Sequence, residues 1–289
     1  MKKTLLTLAL LTSMATATAQ TLVTVNGLQI DSSLIDQQVI KLQNQSNGQI
    51  TDSPQLRNSL LNRAVVHAVI VHEARRLKLD QTREYKDIIA QVESDAKKSG
   101  EYNKQDFNQM FSDFKENLLE QAFAVDVLQK NPVTNKDVRA EYNNIAKFYK
   151  GSYEVQLAEI VTHSENDAKQ ALSELNSGKS FAEVAAIYTV DEESKRTGGK
   201  HLGFVNLKDM AVGAPELHSA IKDLSKGQYT KRPLNAEHIW AIFSVTEKRQ
   251  AQIPSFEQMK DSLMAQLQDQ RVNQAIESLM KKANIQSNM

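Results

Sequence analysis

The chain has 289 residues, and its 35 lysines and arginines are matched by 35 aspartates and glutamates. That balance excludes the strongly basic surface that nucleic acid or an anionic membrane would select. The absence of cysteine excludes a disulfide framework, so stability must come from an ordinary apolar core.

The first residues predict export. Lys2 and Lys3 precede an apolar run from Leu5 to Leu11, and small residues end in Ala17-Thr18-Ala19. Those are the zones of a secretory signal over 1–19, cut after Ala19, and they predict a periplasmic protein. The run is too short to span a bilayer, and no later segment approaches the length required.

From Leu22 to Ile30 apolar and polar residues alternate around Asn26-Gly27, which predicts a tight hairpin, and Asp31 is expected to cap a first helix. Pro54 suits the opening turn of a second helix, whose Leu56, Leu60, Leu61, Ala64, Val65, Ala68 and Val69 recur at helical spacing. Helices are also predicted over 83–98 and 104–130. The latter carries Phe107, Phe111, Phe114, Leu118, Phe123 and Val127 and stops at Asn131-Pro132. Thr134 opens one more, ending near Lys150.

At Gly151 the pattern changes. Tyr153, Val155, Leu157, Ile160 and Val161 predict a strand, followed by helices over 166–177 and 181–188 and a glycine-bearing loop over 197–204. A helix over 216–224 and a buried strand over 238–245 complete a β-α-α-loop-α-β order, a compact α/β sandwich. Pro254-Ser255-Phe256 then opens a last amphipathic helix, which needs a partner surface. The apolar N-terminal helices are the nearest candidate. The predicted fold class is therefore α+β: a helical domain built from 20–150 and 251–289, with an α/β domain over 151–250 inserted.

Four segments carry a resemblance to a known family. Glu174 to Ala185 is similar to a helix, a glycine stop and an "F-A-E-L-A" helix start, and Tyr188-Thr189-Val190-Asp191 is similar to "Y-S-x-D". Gly198 to Phe204 resembles the loop "G-G-D-L-G-W", with Met210 following. Leu217 to Gly227 resembles "F-x-x-A-x-x-x-L-x-x-G", and Glu237-His238-Ile239 resembles a closing "Y-H-I-I" strand. In this order they resemble the parvulin peptidyl-prolyl cis-trans isomerases, or rotamases. The flanking helices resemble those of exported foldases and chaperones of the SurA and PrsA kind. Three positions depart from the pattern: Glu159 stands at the first active-site histidine, Leu217 at the pocket aromatic, and Lys200-His201 at the loop aspartate.

The resemblance implies isomerisation of X-Pro bonds. Rotation about such a bond breaks amide resonance, with a barrier of roughly 18–20 kcal/mol. The twisted transition state has lost charge separation, so a water-poor apolar pocket favours it without a metal, nucleophile or cofactor. By resemblance Met210, Leu217 and Phe204 form that pocket and bind substrate, and Asp191, His238 and Glu159 form the catalytic network, with His238 drawn towards its charged form by the carboxylates. The implied partners are unfolded or proline-containing exported polypeptides.

Other residues carry less. His67 and His72 are five apart, off the spacing of four that a helical metal pair requires. Gly198, Gly199 and Gly203 match no nucleotide-binding pattern. The Phe107, Phe111, Phe114 stripe suits either core or a groove that holds polypeptide. Two functions stay open: an isomerase that also acts as a chaperone, and a holding chaperone whose α/β domain turns over weakly.

Overall fold

A computed structural model describes residues 20–288; the predicted signal lies outside them. The chain divides into two compact units, one running to Thr134 and resuming at Met264, the other formed by Asn135–Leu263. The division therefore falls at 134/135 and 263/264, not near 150 and 250.

The first unit opens with a hairpin of β1 (Thr21–Val25) and β2 (Leu28–Asp31). Asn26 and Gly27 both take positive φ, 48° and 87°, the paired left-handed turn that matches strand twist. Asp31 precedes α1 (Ser32–Gln45) without capping it. Its Oδ1 instead accepts the Thr21 hydroxyl at 2.7 Å, which ties the open end of the hairpin. In α2 (Pro54–Arg76) proline stands at the first turn and Ser53 Oγ accepts the Leu56 N–H.

This helix is the spine of the unit. Its Leu60, Leu61, Ala64, Val65, Ala68 and Val69 bury with Val23, Val25, Ile35 and Val39. One turn further, Ile70, Val71 and Ala74 bury with Leu119 and Phe123. Those partners belong to the second of the next two helices, α3 (Arg83–Ser99) and α4 (Phe107–Lys130). The latter starts at Phe107, three residues later than predicted, and a separate 3-10 turn over Glu101–Asn103 precedes it. No residue of α3 is buried.

The second unit begins with α5 (Asn135–Tyr149) and β3 (Tyr153–Thr162). Next come α6 (Glu165–Asn176) and α7 (Phe181–Tyr188), whose start is a capping box between Ser180 and Glu183. The acidic run after it is not a plain loop. Glu192 and Glu193 open a short α8 (Glu192–Thr197), where negative charge suits the helix N-terminus. After β4 (Val205–Asn206) come α9 (Leu207–Gly213) and α10 (Pro215–Ile221), then β5 (Leu234–Ala236) and β6 (Ile239–Gln250). The sheet is antiparallel in the order β4-β3-β6-β5.

Register assigns each side chain of the central pair to a face. Leu157, Glu159 and Val161 lie opposite Val245, Phe243 and Ala241, while Ala158, Ile160 and Thr162 lie opposite Ser244, Ile242 and Trp240. The second set is covered by α6 and α7 through Ala171, Leu175, Val184 and Ala185 around Ile160 and Ile242. The first set is covered by α9 and α10 through Met210 and Ile221.

The chain leaves the second unit along α11 (Phe256–Met280) and ends in β7 (Ile285–Ser287), which pairs antiparallel with β1. Ala275, Ile276, Leu279 and Met280 pack on the apolar clusters of the first unit. No helix among the described residues is long and apolar enough to cross a membrane.

Candidate functional site

The site is built on the outer edge of β3, which the segment from Val190 to Asn206 closes. Val190 N–H donates to Val161 O at 2.8 Å, Glu159 N–H to Gly199 O at 2.9 Å, and His201 N–H to Leu157 O at 2.9 Å. Thr189, buried, accepts the Val161 N–H through its hydroxyl. Gly199 is required where it stands: its φ is +79°, and a Cβ there would lie 2.2 Å from Glu159 O. The close approach sets two side chains together, with His201 Nε2 3.3 Å from Glu159 Oε1. The Glu159 side chain is 23% exposed and that of His201 47%.

Beside this pair lies an apolar face. Phe243, directly opposite Glu159 and half-buried, packs with Leu217 and Leu207 against a cluster of Val155, Leu157, Met210, Ile221 and Val245. Leu217 is also half-buried, whereas Met210 is 5% exposed and is a floor residue. The sequence reading placed Phe243 in the buried strand over 238–245 but not at the site. Its even spacing from Val245 and Ala241 was the signal that it shared their face.

Phe204 does not join this cluster. It precedes β4, and the Arg249 guanidinium lies 3.6 Å from its ring centre while Arg249 Nε donates to Glu154 at 2.6 Å. A cation held over the ring in this way fixes it as a lid on the far end of β3.

Asp191 and His238 make no hydrogen bond with Glu159 or with each other among the described residues. Asp191 Oδ1 accepts the Ser194 N–H at 2.7 Å as the cap of α8, and that backbone donor holds its carboxyl below the usual aspartate range. His238, exposed, sits with Glu237 in the two-residue turn between β5 and β6 and makes no hydrogen bond or ion pair among the described residues. Glu159 pairs with Phe243, five residues beyond His238, roughly 16 Å along an extended strand. On the Glu159 face of β6, Phe243 is flanked by Ala241 and Val245, opposite Val161 and Leu157.

A separate open cleft of about 620 Å³ lies between α10 and β5, lined by Pro215, Glu216, Arg232, Pro233 and Trp240 among others. None of the predicted site residues lines it.

In the helical unit, His67 is a clasp between α2 and α4. Its Nδ1 is 2.7 Å from Glu120 and its Nε2 3.2 Å from Glu116, and Arg75 donates to Glu116 at 2.8 Å. The two carboxylates raise His67 to about 9, and His67 with Arg75 lowers Glu116 to about 2. Near the start of α4, Tyr102, Phe107 and Phe111 stack at centroid distances of 4.9 and 5.3 Å, and the adjacent Met110 is 57% exposed.

Comparison with known proteins follows the same division. The PPIC-type PPIase domain family matches residues 133–261, nearly the bounds of the second unit. A Bordetella bronchiseptica protein named "Probable parvulin-type peptidyl-prolyl cis-trans isomerase" is 28% identical over 271 residues, covering 93% of this chain and 94% of its own length. The Bacillus cereus "Foldase protein PrsA 2" is 30% identical over 182 residues, 61% of this chain and 58% of that one. A crystal structure of the peptidylprolyl isomerase PrsA from Bacillus cereus aligns over 94% of this chain and 95% of its own at 22% identity, with a TM-score of 0.41. Residues 133–261 thus carry a PPIC-type parvulin domain, and the relatives that match nearly the whole chain bear the name of parvulin-type peptidyl-prolyl cis-trans isomerases.

Proposed function

We propose that the protein isomerises X-Pro bonds in exported polypeptides and holds those polypeptides while they fold. The observation that carries this reading is the half-open apolar face of Leu217 and Phe243 inside a PPIC-type domain, floored by Met210 and bordered by Glu159. A prolyl ring on that face would lose water around a bond whose twisted state is the less polar one, which lowers the barrier. Asp191 contributes by fixing the loop through its cap of α8, and His238 is a turn residue at the end of the β5–β6 hairpin. Export rests on the signal-like residues 1–19.

A second reading has its own observation. With Glu159 at the first histidine of the family pattern and His238 in the turn between β5 and β6, the domain binds prolyl segments and turns them over weakly, and the protein is chiefly a holding chaperone. One preparation decides between them. Protease-coupled isomerisation of a short X-Pro peptide and suppression of aggregation of an unfolded protein are measured together. The isomerase reading expects both activities; suppression alone leaves the chaperone.

A further inference from the structure

We propose that His201 is the substrate-facing polar residue of the prolyl site and that Glu159 is its positioning partner; this rests on the isomerase reading above. The site needs a polar group beside the apolar face to orient the peptide, and the residues first expected to supply it are committed elsewhere. Asp191 spends a carboxyl oxygen on the Ser194 N–H, and His238 lies in the distal turn. Ala241 has no polar atom in its side chain.

His201 is held at the right place by backbone. Its N–H is bonded to Leu157 O, two residues along β3 from Glu159, and the Gly199 carbonyl accepts the Glu159 N–H, so the loop cannot shift without breaking both bonds. The side chains then meet with Nε2 at 3.3 Å from Glu159 Oε1, next to Phe243. Among the described residues Nδ1 has no partner. A carboxylate on one ring nitrogen fixes the ring and decides the proton on the other, which leaves Nδ1 to meet a peptide group of the substrate. The imidazole is also 47% exposed, as a residue that meets substrate must be. A purely structural ion pair at that exposure would contribute little to stability and nothing to turnover.

Four variants test this on the purified protein, with kcat and KM measured separately on a short X-Pro peptide. His201→Ala is expected to lower kcat about tenfold with KM within twofold, and Glu159→Gln to lower it less, since it loosens the ring without removing it. His201→Asn, which keeps a polar group of similar size, should recover part of the loss. The exchange Glu159→His with His201→Glu keeps both groups in contact and should exceed either single variant. Unchanged melting of His201→Ala shows that the loss is not unfolding, because the backbone bond to Leu157 does not involve the side chain. If wild type turns over peptide and His201→Ala matches it, the inference fails and the isomerase reading stands. If wild type is itself inactive, both fail.

Discussion

Individual side chains carry the sharpest expectations. His67 has a folded value near 9 against an unfolded value near 6.5, so its stabilisation is complete below about pH 6.5 and is lost as pH rises through 9. Glu116 is depressed to about 2 from 4.5, so its contribution is present above about pH 4.5 and is lost as pH falls through 2. The clasp between α2 and α4 is thus fully engaged from about pH 4.5 to 6.5. His67→Gln should lower the stability of the helical unit by about 1–2 kcal/mol at pH 6 and by much less at pH 10, read by denaturant titration at both values. An equal loss at both would mean that packing, not charge, holds the ring. Met210→Ala should cost about 2–5 kcal/mol of the second unit's stability, because the side chain is core at 5% exposure. A weakened KM with unchanged melting would instead put Met210 at the pocket surface. Gly199→Ala should destabilise the β3 edge, since the new Cβ meets Glu159 O; hydrogen exchange at Glu159 and His201 is the check, and unchanged protection there would contradict it.

Elements with several periods of pattern were legible, and shorter ones were not. The Asn26-Gly27 hairpin, the apolar spine of α2 and the helix opened by Phe256 each repeat their signal over enough residues to be read alone. The three-residue β5 and β7 and the six-residue α8 offer less than two periods, and pairing with β6 and β1 or the Asp191 cap is what forms them. The site suffered from the same limit. Ile239-Trp240-Ala241-Ile242-Phe243 is a nearly unbroken apolar run, so the sequence does not say which residue begins the strand or which face each takes. The register leaves His238 in the turn before that run, away from the strand position opposite Glu159. The contact of Phe204 with Arg249 was not legible either, because the two are 45 residues apart. The end of the chain supplies a test at this scale. Ending the protein before Met264 removes Ala275, Ile276, Leu279 and Met280 from the first unit's clusters and β7 from β1. That unit should lose its melting transition while the second keeps its own, as followed by calorimetry. Retention of both transitions would contradict the account of the chain end as part of the first unit.

At the scale of the whole molecule, one chain carries a family domain over 133–261 and a helical unit assembled from both ends. On the proposed reading, holding and isomerising are separable tasks of separable units. Exposed Tyr102 and Met110 give the helical unit apolar surface, and the face of Leu217 and Phe243 would give the other a place for a prolyl ring. Tyr102→Ser with Met110→Ser should weaken suppression of aggregation severalfold and leave turnover of a short X-Pro peptide unchanged, because a short peptide needs only the second unit. A parallel loss of both activities would contradict this separation. The central claim is catalysis of X-Pro rotation by the parvulin-type domain, and protease-coupled isomerisation of a short X-Pro peptide by the purified protein tests it most directly. The account predicts a rate that rises in proportion to protein concentration above the uncatalysed rate; a rate equal to the uncatalysed one at every protein concentration would contradict it.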